Sequence, residues 1–83
     1  MSVDANIKNE KKVVGIKQAM KSVERNKAKL VYIANDVEPR LLSPLTVLCK
    51  SKGVNVIEAD GKAALGRACG IHTDAAAVAI LKD

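Results

Sequence analysis

Hydrophobic and polar residues follow a pattern along the chain that predicts helices and strands in alternation. After Gly15, apolar residues recur at the i, i+3, i+4 and i+7 spacing of an amphipathic helix, which ends at Asn26. The continuous apolar run at residues 30–34 contains β-branched and aromatic residues, which favour a strand covered on both faces. The polar segment before Gly15, residues 4–12, is typical of a short helix or a mobile arm.

The next helix is indicated by two prolines. Pro39 marks a turn or a first helical turn, and Ser43 followed by Pro44 is typical of a helix start, with serine as the N-cap and proline at the first helical position. Gly53 then predicts the end of this helix, because glycine readily adopts the left-handed conformation found there. Residues 54–58 predict a second strand.

The last third of the chain predicts one more helix and one more strand. Asp60 is a suitable N-cap for a helix over residues 61–69, which Gly70 closes. Residues 71–74 form a loop, and residues 76–81 form the final strand. Strands joined by helices need crossover connections, which place helices on both faces of the sheet. We therefore expect an α/β fold, a three-layer α-β-α sandwich with a central mixed sheet of about four strands.

The length of 83 residues predicts a single domain over residues 1–83. The chain is a basic protein, with 14 Lys and Arg against 9 Asp and Glu and a net charge of +5. Such a balance favours polyanions as partners, although basic residues also serve solubility alone. Tyr32 is the one aromatic residue, which argues against single-strand binders that stack bases on aromatic side chains.

The residues that bind metals or react as nucleophiles are few. Cys49 and Cys69 lie far apart without CxxC spacing, and His72 is the sole histidine, so we expect no metal and no cofactor. Both cysteines lie among apolar residues, which indicates buried free thiols, and the sequence alone leaves a disulfide open. No nucleophile–base pair or paired carboxylates can be placed beside His72, so we expect no enzyme activity.

The expected location is cytoplasmic. Residues 1–12 are polar and lack the apolar core of a secretory signal. No apolar run reaches the ~18 residues that a membrane span needs. We therefore expect no membrane partner, and a monomer.

The helix after Gly15 carries a basic face. Lys17, Lys21 and Arg25 fall within about 80° of arc on an ideal helix, with Gln18 beside them. Gly15 removes side-chain bulk at the helix N-terminus, where backbone N–H groups attract phosphate. Lysine can donate to guanine acceptors and glutamine can pair with base edges. The alternative is an ordinary solvated helix face.

The segment at residues 62–70 contains glycines and cations but lacks the spacing of a Walker phosphate loop. Gly66 is expected to permit close helix packing, and Lys62 lies at the helix start, where it could touch a phosphate.

Three stretches together, residues 15–21, 30–39 and 62–71, resemble the L7Ae large-subunit ribosomal protein family, which binds kink-turn RNA. The chain is most similar to the small bacterial L7Ae-like branch, and the resemblance runs from Val13 to Leu81. It implies a three-layer fold whose helix after Gly15 enters the groove at tandem sheared G·A pairs of structured RNA, in a ribosomal RNA or an mRNA leader. It makes the chain a candidate ribosomal protein and part of a ribonucleoprotein.

The resemblance also implies which residues touch RNA. Lys17, Gln18 and Lys21 would contact guanine edges and the backbone, and Lys62 a phosphate. The loop at residues 71–75 would cover a flipped-out base. The residues expected to bind RNA are Gly15, Lys17, Gln18, Lys21, Glu38, Leu42, Lys62, Ile71, His72, Thr73, Asp74 and Ala75.

Two departures from the family pattern change the expected affinity. Lys17 and Gln18 stand where the archaeal and eukaryotic members have Asn and Glu, and Gln18 accepts hydrogen bonds without the charge that strengthens them. Asp74 brings a negative charge close to where RNA should lie. The alternative function is a protein-interaction or ribosome-associated accessory module that keeps the fold with weak or lost RNA specificity.

Overall fold

The computed structural model of the protein describes residues 5–82, with side chains from Ile7 onward. In chain order it contains a 3₁₀ helix (Ala5–Asn9), β1 (Lys12–Val14), α1 (Ile16–Glu24), β2 (Ala28–Ala34), α2 (Pro39–Lys52), β3 (Asn55–Ala59), α3 (Lys62–Cys69) and β4 (Ala77–Leu81). The segment expected to be a short helix or an arm is thus a 3₁₀ helix over most of its length. Its first residue, Asp4, lies outside the described part.

The four strands form one mixed sheet in the order β1-β4-β2-β3. β2 and β3 are parallel, while β4 runs antiparallel to both β2 and β1. β1 was not predicted as a strand, because its three residues are held mainly by pairing with the distant β4, from Lys12 opposite Ile80 to Val14 opposite Val78.

Alternate residues of the central strands face two separate hydrophobic clusters. On one face Val31 and Ile33 pack with residues of α1 and α2. On the other face Tyr32 and Ala34 pack with α3 and with Ile7 of the 3₁₀ helix. Because side chains alternate across a strand, each cluster covers one side of the sheet. The predicted three-layer α-β-α sandwich with a mixed four-stranded sheet is confirmed.

Helix α2 begins five residues before the start predicted at Pro44. Pro39 occupies the first helical turn, which is one of the two possibilities stated for it, with Glu38 as the N-cap residue, and Pro44 lies inside the helix. The prediction that Ser43 caps the helix is therefore wrong. Proline fits the first turn because its missing N–H has no partner there in any case, and the buried Leu42 and Leu45 anchor the helix on both sides of Pro44. The predicted stop at Gly53 is confirmed by its left-handed backbone, with φ 72°.

The N-cap predicted for α3 is also wrong. The N-cap residue is Gly61, at φ 120°, rather than Asp60. The carboxylate that serves the helix start comes from Asp36, which follows β2. Sequence neighbours alone could not show this, since Asp36 and Lys62 are 26 residues apart. The predicted end of α3 at Gly70 is confirmed.

The two cysteines are free and buried on opposite faces of the sheet. Cys49 belongs to the cluster under α2 and Cys69 to the cluster under α3. The disulfide that the sequence left open is therefore excluded by the sheet between them. Burial raises the pKa of the Cys49 thiol. Burial also raises the pKa of Cys69, and the charge of Lys12 partly offsets that rise.

Candidate nucleic-acid interface

Three segments meet at the carboxyl ends of β2 and β3, joined by backbone hydrogen bonds to residues 75–77. The Gly15 N–H donates to the Ala77 carbonyl at 2.8 Å, and the Ala75 N–H donates to the Lys62 carbonyl at 3.1 Å. The Ala34 N–H, at the end of β2, donates to the Ala76 carbonyl at 2.9 Å. The start of α1, the start of α3 and the end of the loop at residues 71–75 are thus fixed beside each other. We call this region the carboxyl-end surface.

Helix α1 presents a polar face at this surface. Lys17, Gln18 and Lys21 are exposed, while Ala19 and Val23 on the other side are fully buried. The helix is strongly amphipathic, so packing of its apolar side fixes which side chains face solvent. Arg25 is the C-cap residue rather than part of the helix, and lies at the far end from Gly15.

Gly15 combines a left-handed backbone with open space in front of it. Its φ of 108° lies in a region that other residues rarely adopt. A Cβ atom built at Gly15 would meet no heavy atom within 4 Å. The positive φ at this position therefore favours glycine, whereas crowding within the protein does not. The open space also allows a ligand to approach the backbone at the start of α1.

Asp36 positions the start of α3 and with it Lys62. The Lys62 N–H donates to Asp36 Oδ1 at 2.9 Å. Gly61 is buried against the same carboxylate, where an added Cβ would lie 3.3 Å from Oδ2. The side chain of Lys62 remains exposed. Asp36 was not among the site residues predicted from the sequence. Its only signal was a polar residue at the end of a buried strand.

The loop at residues 71–75 packs against α3 on one side and is exposed to solvent on the other. The Ile71 N–H donates to the Gly66 carbonyl at 3.1 Å, and a Cβ on Gly66 would overlap the Thr73 carbonyl oxygen. Gly66 therefore permits α3 to pack closely, as expected, and the segment that packs against it is this loop. His72, Thr73 and Asp74 are exposed, and Ile71 is half-buried.

Two of the expected site residues have buried side chains. Ala75 is 1% exposed and belongs to the cluster under α3, so it offers a ligand its position in the loop rather than its side chain. Leu42 is 5% exposed but lines a shallow groove of ≈ 330 Å³ together with Val37 and Pro39. Next to the groove, Glu38 is exposed and pairs with Arg40, with 2.9 Å between Oε1 and Nε.

The carboxyl-end surface is not uniformly basic. Asp36, Glu58, Asp60 and Asp74 lie at this end of the sheet, and all four are exposed. Within residues 5–82 no group of three or more His, Cys, Asp or Glu residues could hold a metal ion. Among the described helices, none has the length and apolar character to cross a membrane. The exposed side chains described at this surface offer a ligand hydrogen bonds and charge.

The model of the ribosomal protein L7Ae/L30e/S12e/Gadd45 family matches residues 2–83. The chain belongs to this family. A family member from Bacillus pumilus, named as an RNA-binding protein, is 38% identical over 81 residues, covering 98% of this chain and 99% of the relative. A second relative, named as an RNA-binding protein from Caldanaerobacter subterraneus, is 41% identical over 69 residues and is matched over 84% of its length.

Solved structures resemble this L7Ae-family chain in fold. The 15.5 kD RNA-binding protein of Giardia lamblia superimposes with a TM-score of 0.86 at 33% identity, over 95% of this chain and 70% of that protein. A protein of unknown function from Bacillus halodurans superimposes with a TM-score of 0.79 over 86% of this chain and 71% of that protein. At 22% identity, the second comparison supports the fold alone.

Proposed function

We propose that this protein is a non-enzymatic RNA-binding protein that recognises kink-turn RNA. Membership of the L7Ae family supports RNA as the partner, as do relatives of almost the same length that are named RNA-binding proteins. The observation that carries the proposal is the junction at residues 75–77, which holds the start of α1 beside the loop at residues 71–75 and beside Lys62. The protein acts as one cytoplasmic domain, as a monomer, on or off the ribosome.

Helix α1 supplies the base contacts in this proposal. Its exposed Lys17 donates to guanine O6 or N7, and Gln18 accepts from guanine N–H groups at the sheared pairs. Lys21, one turn further along, contacts the backbone. Gly15 lets the RNA strand pass close to the start of α1, because glycine has no side chain to project there.

The loop and α3 complete the contacts. Lys62 approaches a phosphate from the start of α3. Ile71, His72 and Thr73 cover a base flipped out of the kink, while Ala75 holds the loop through its buried position. Glu38 and the groove lined by Leu42 lie on the other side of that base.

The test compares two RNAs of equal length. One carries a kink-turn with tandem G·A pairs, and the other has those pairs replaced by Watson–Crick pairs. We expect tighter binding to the first by about 1–3 kcal/mol for each specific contact made. Equal affinity for the two RNAs in a fluorescence anisotropy titration rejects the kink-turn proposal.

The acids of the carboxyl-end surface favour a second candidate function, a protein-interaction or ribosome-associated accessory module. Glu58, Asp60 and Asp74 have no cationic partner among residues 5–82, and they oppose the approach of RNA. This candidate predicts capture of a protein partner that survives nuclease treatment, with no preference between the two RNAs.

A further inference from the structure

A second basic region lies at the opposite end of the sheet. The backbone of β4 ends beside the start of β2, where the Lys82 N–H donates to the Lys27 carbonyl at 2.7 Å. The Leu81 N–H donates to the Lys11 carbonyl at 2.9 Å. These segments enclose a concavity of ≈ 400 Å³, which we call the amino-end surface, lined by Lys11, Asn26, Lys27, Leu81 and Lys82.

The lysines of the amino-end surface are unpaired within residues 5–82. Lys11, Lys27 and Lys82 are exposed, and the two ion pairs in that range are Lys29–Glu10 and Arg40–Glu38. Two acids are described at this end, Glu10 and Glu24. Glu10 is already paired with Lys29. Asp83 follows Lys82 along the chain and lies outside the described residues.

More cations lie at the same end of the sheet as the concavity. Arg25 caps the end of α1, immediately before Asn26. Lys50 and Lys52 lie in the last turn of α2, which leads into the start of β3. Because β2 and β3 are parallel, with Leu30 opposite Asn55, the end of α2 lies at the same end of the sheet as Lys27. Like-charged groups gathered at one end produce a local positive field stronger than the net charge alone would give.

The two ends of the molecule therefore differ in charge. The carboxyl-end surface holds Lys17, Lys21 and Lys62 but also Asp36, Glu58, Asp60 and Asp74, so the excess of cations is not located there. The contacts proposed for kink-turn recognition leave the amino-end lysines unused. An anionic ligand fits their charge and their shared concavity.

We propose that the amino-end surface binds the phosphate backbone of an RNA duplex, as a contact additional to the carboxyl-end surface. Lysine ammonium groups bind phosphates as point charges, without reading sequence. The concavity contains no aromatic side chain and has one amide, Asn26, so backbone binding rather than base reading is the chemistry available. The molecule measures 30 × 29 × 21 Å, so the two surfaces contact separate segments of one RNA or two RNAs.

This inference rests on RNA being the partner, as proposed above, but not on kink-turn specificity.

The test uses the full chain, a short kink-turn RNA, and a fully Watson–Crick RNA duplex of about 16 base pairs, a length that other duplex-binding domains span. The variant is Lys11→Gln/Lys27→Gln/Lys82→Gln, which keeps long polar side chains and removes three charges. The matched control is Lys11→Arg/Lys27→Arg/Lys82→Arg, which keeps the charges and can still bind phosphate. Circular dichroism of both variants verifies the fold.

We expect the Gln variant to bind the duplex at least about tenfold more weakly than the wild type at low salt. The slope of the logarithm of the association constant against the logarithm of salt concentration should become smaller in magnitude by about 2–3. The Arg variant should retain both the affinity and the slope. Affinity for the short kink-turn RNA should remain unchanged in both variants. Wild-type duplex affinity in the Gln variant overturns the proposal, and so does equal loss in the Gln and Arg variants. If the kink-turn RNA binds no better than its Watson–Crick control, kink-turn recognition is rejected. The duplex measurements then still decide whether the amino-end surface binds RNA.

Discussion

The carboxylate of Asp36 accepts a hydrogen bond from the backbone N–H of Lys62, with 2.9 Å between Oδ1 and N, and so joins the end of β2 to the start of α3. The Lys62 carbonyl in turn accepts a hydrogen bond from the N–H of Ala75, at the end of the exposed loop. Asp36 is therefore connected through one residue to the loop that the proposed function places against RNA. A capping carboxylate also interacts favourably with the positive end of the helix dipole.

Replacing Asp36 with Ala should destabilise the protein by about 0.5–2 kcal/mol, the range for loss of a helix-capping side chain. Affinity for kink-turn RNA should also fall, since the start of α3 and the loop lose a common support. Urea denaturation and RNA titration measure the two effects. Asp36→Asn keeps an acceptor oxygen and should recover most of the stability. If Asp36→Ala and Asp36→Asn are equally stable, the hydrogen bond does not support α3.

Gly66→Ala tests the close approach between α3 and the loop at residues 71–75. The added Cβ would overlap the Thr73 carbonyl oxygen, a backbone atom that cannot rotate away. We expect a loss of about 1–3 kcal/mol of unfolding free energy, as for other overpacked sites, despite the better helix propensity of alanine. Ala63→Ser, on an exposed position of the same helix, is the size control and should be close to neutral. Wild-type stability in Gly66→Ala would show that the loop moves freely.

The base contacts proposed for α1 and the phosphate contact proposed for Lys62 predict different mutational signatures. Lys17→Ala and Gln18→Ala should each weaken kink-turn binding by about 1–3 kcal/mol and reduce the preference over Watson–Crick RNA. Lys62→Ala should weaken both RNAs alike and reduce the salt slope by about one. Arg67→Ala, an exposed cation in the last turn of α3 that belongs to neither proposed surface, is the control. Identical effects of Lys17→Ala and Lys62→Ala would reduce the proposal to non-specific charge attraction.

Much of the fold could be predicted from the sequence because its signals are local. The apolar spacing after Gly15, the buried run of β2 and the glycines at positions 53 and 70 each act within a few residues. The pairing of β1 with β4 could not be predicted, since three residues contain too little pattern. The sequence left Pro39 as either a turn or a first helical turn, because the local signal at Pro44 competed with it as the helix start.

Some features of the candidate site could likewise be predicted from local sequence, and others could not. The exposed face of α1 follows from helical spacing, so Lys17, Gln18 and Lys21 were found together. The hydrogen bond from Lys62 to Asp36 and the contact of Gly66 with Thr73 depend on how distant segments meet, which only the folded chain shows. Buried positions such as Ala75 were placed in the interface because a loop motif does not separate side chains that face the core from those that face solvent.

Asp74→Asn should strengthen binding of the short kink-turn RNA, which does not need the amino-end surface. Asp74 is exposed in the loop that is proposed to cover the flipped-out base, and its negative charge repels phosphate. Removing one exposed charge at nearly constant size should raise affinity about two- to fivefold at low salt, consistent with the small energies of exposed charge pairs. The gain should shrink as salt screens the repulsion. The control is Glu24→Gln, at the other end of α1, and a gain as large in that variant would assign the effect to net charge.

The buried thiols predict that stability falls in mildly alkaline solution. Burial raises the pKa of Cys49, and of Cys69 against the smaller opposing effect of Lys12, above their ordinary value of 9.0. Below that pH both the folded and unfolded chains hold the thiol protons. Above it the unfolded chain releases them first, so the free energy of unfolding decreases as pH rises, by up to about 1.4 kcal/mol per pH unit for each thiol. Urea denaturation in reductant between pH 8 and 10 measures the slope. The Cys49→Ala/Cys69→Ala variant should be less stable at pH 7, yet its stability should depend less on pH over that range. An unchanged slope in the double variant would exclude the thiols as its source.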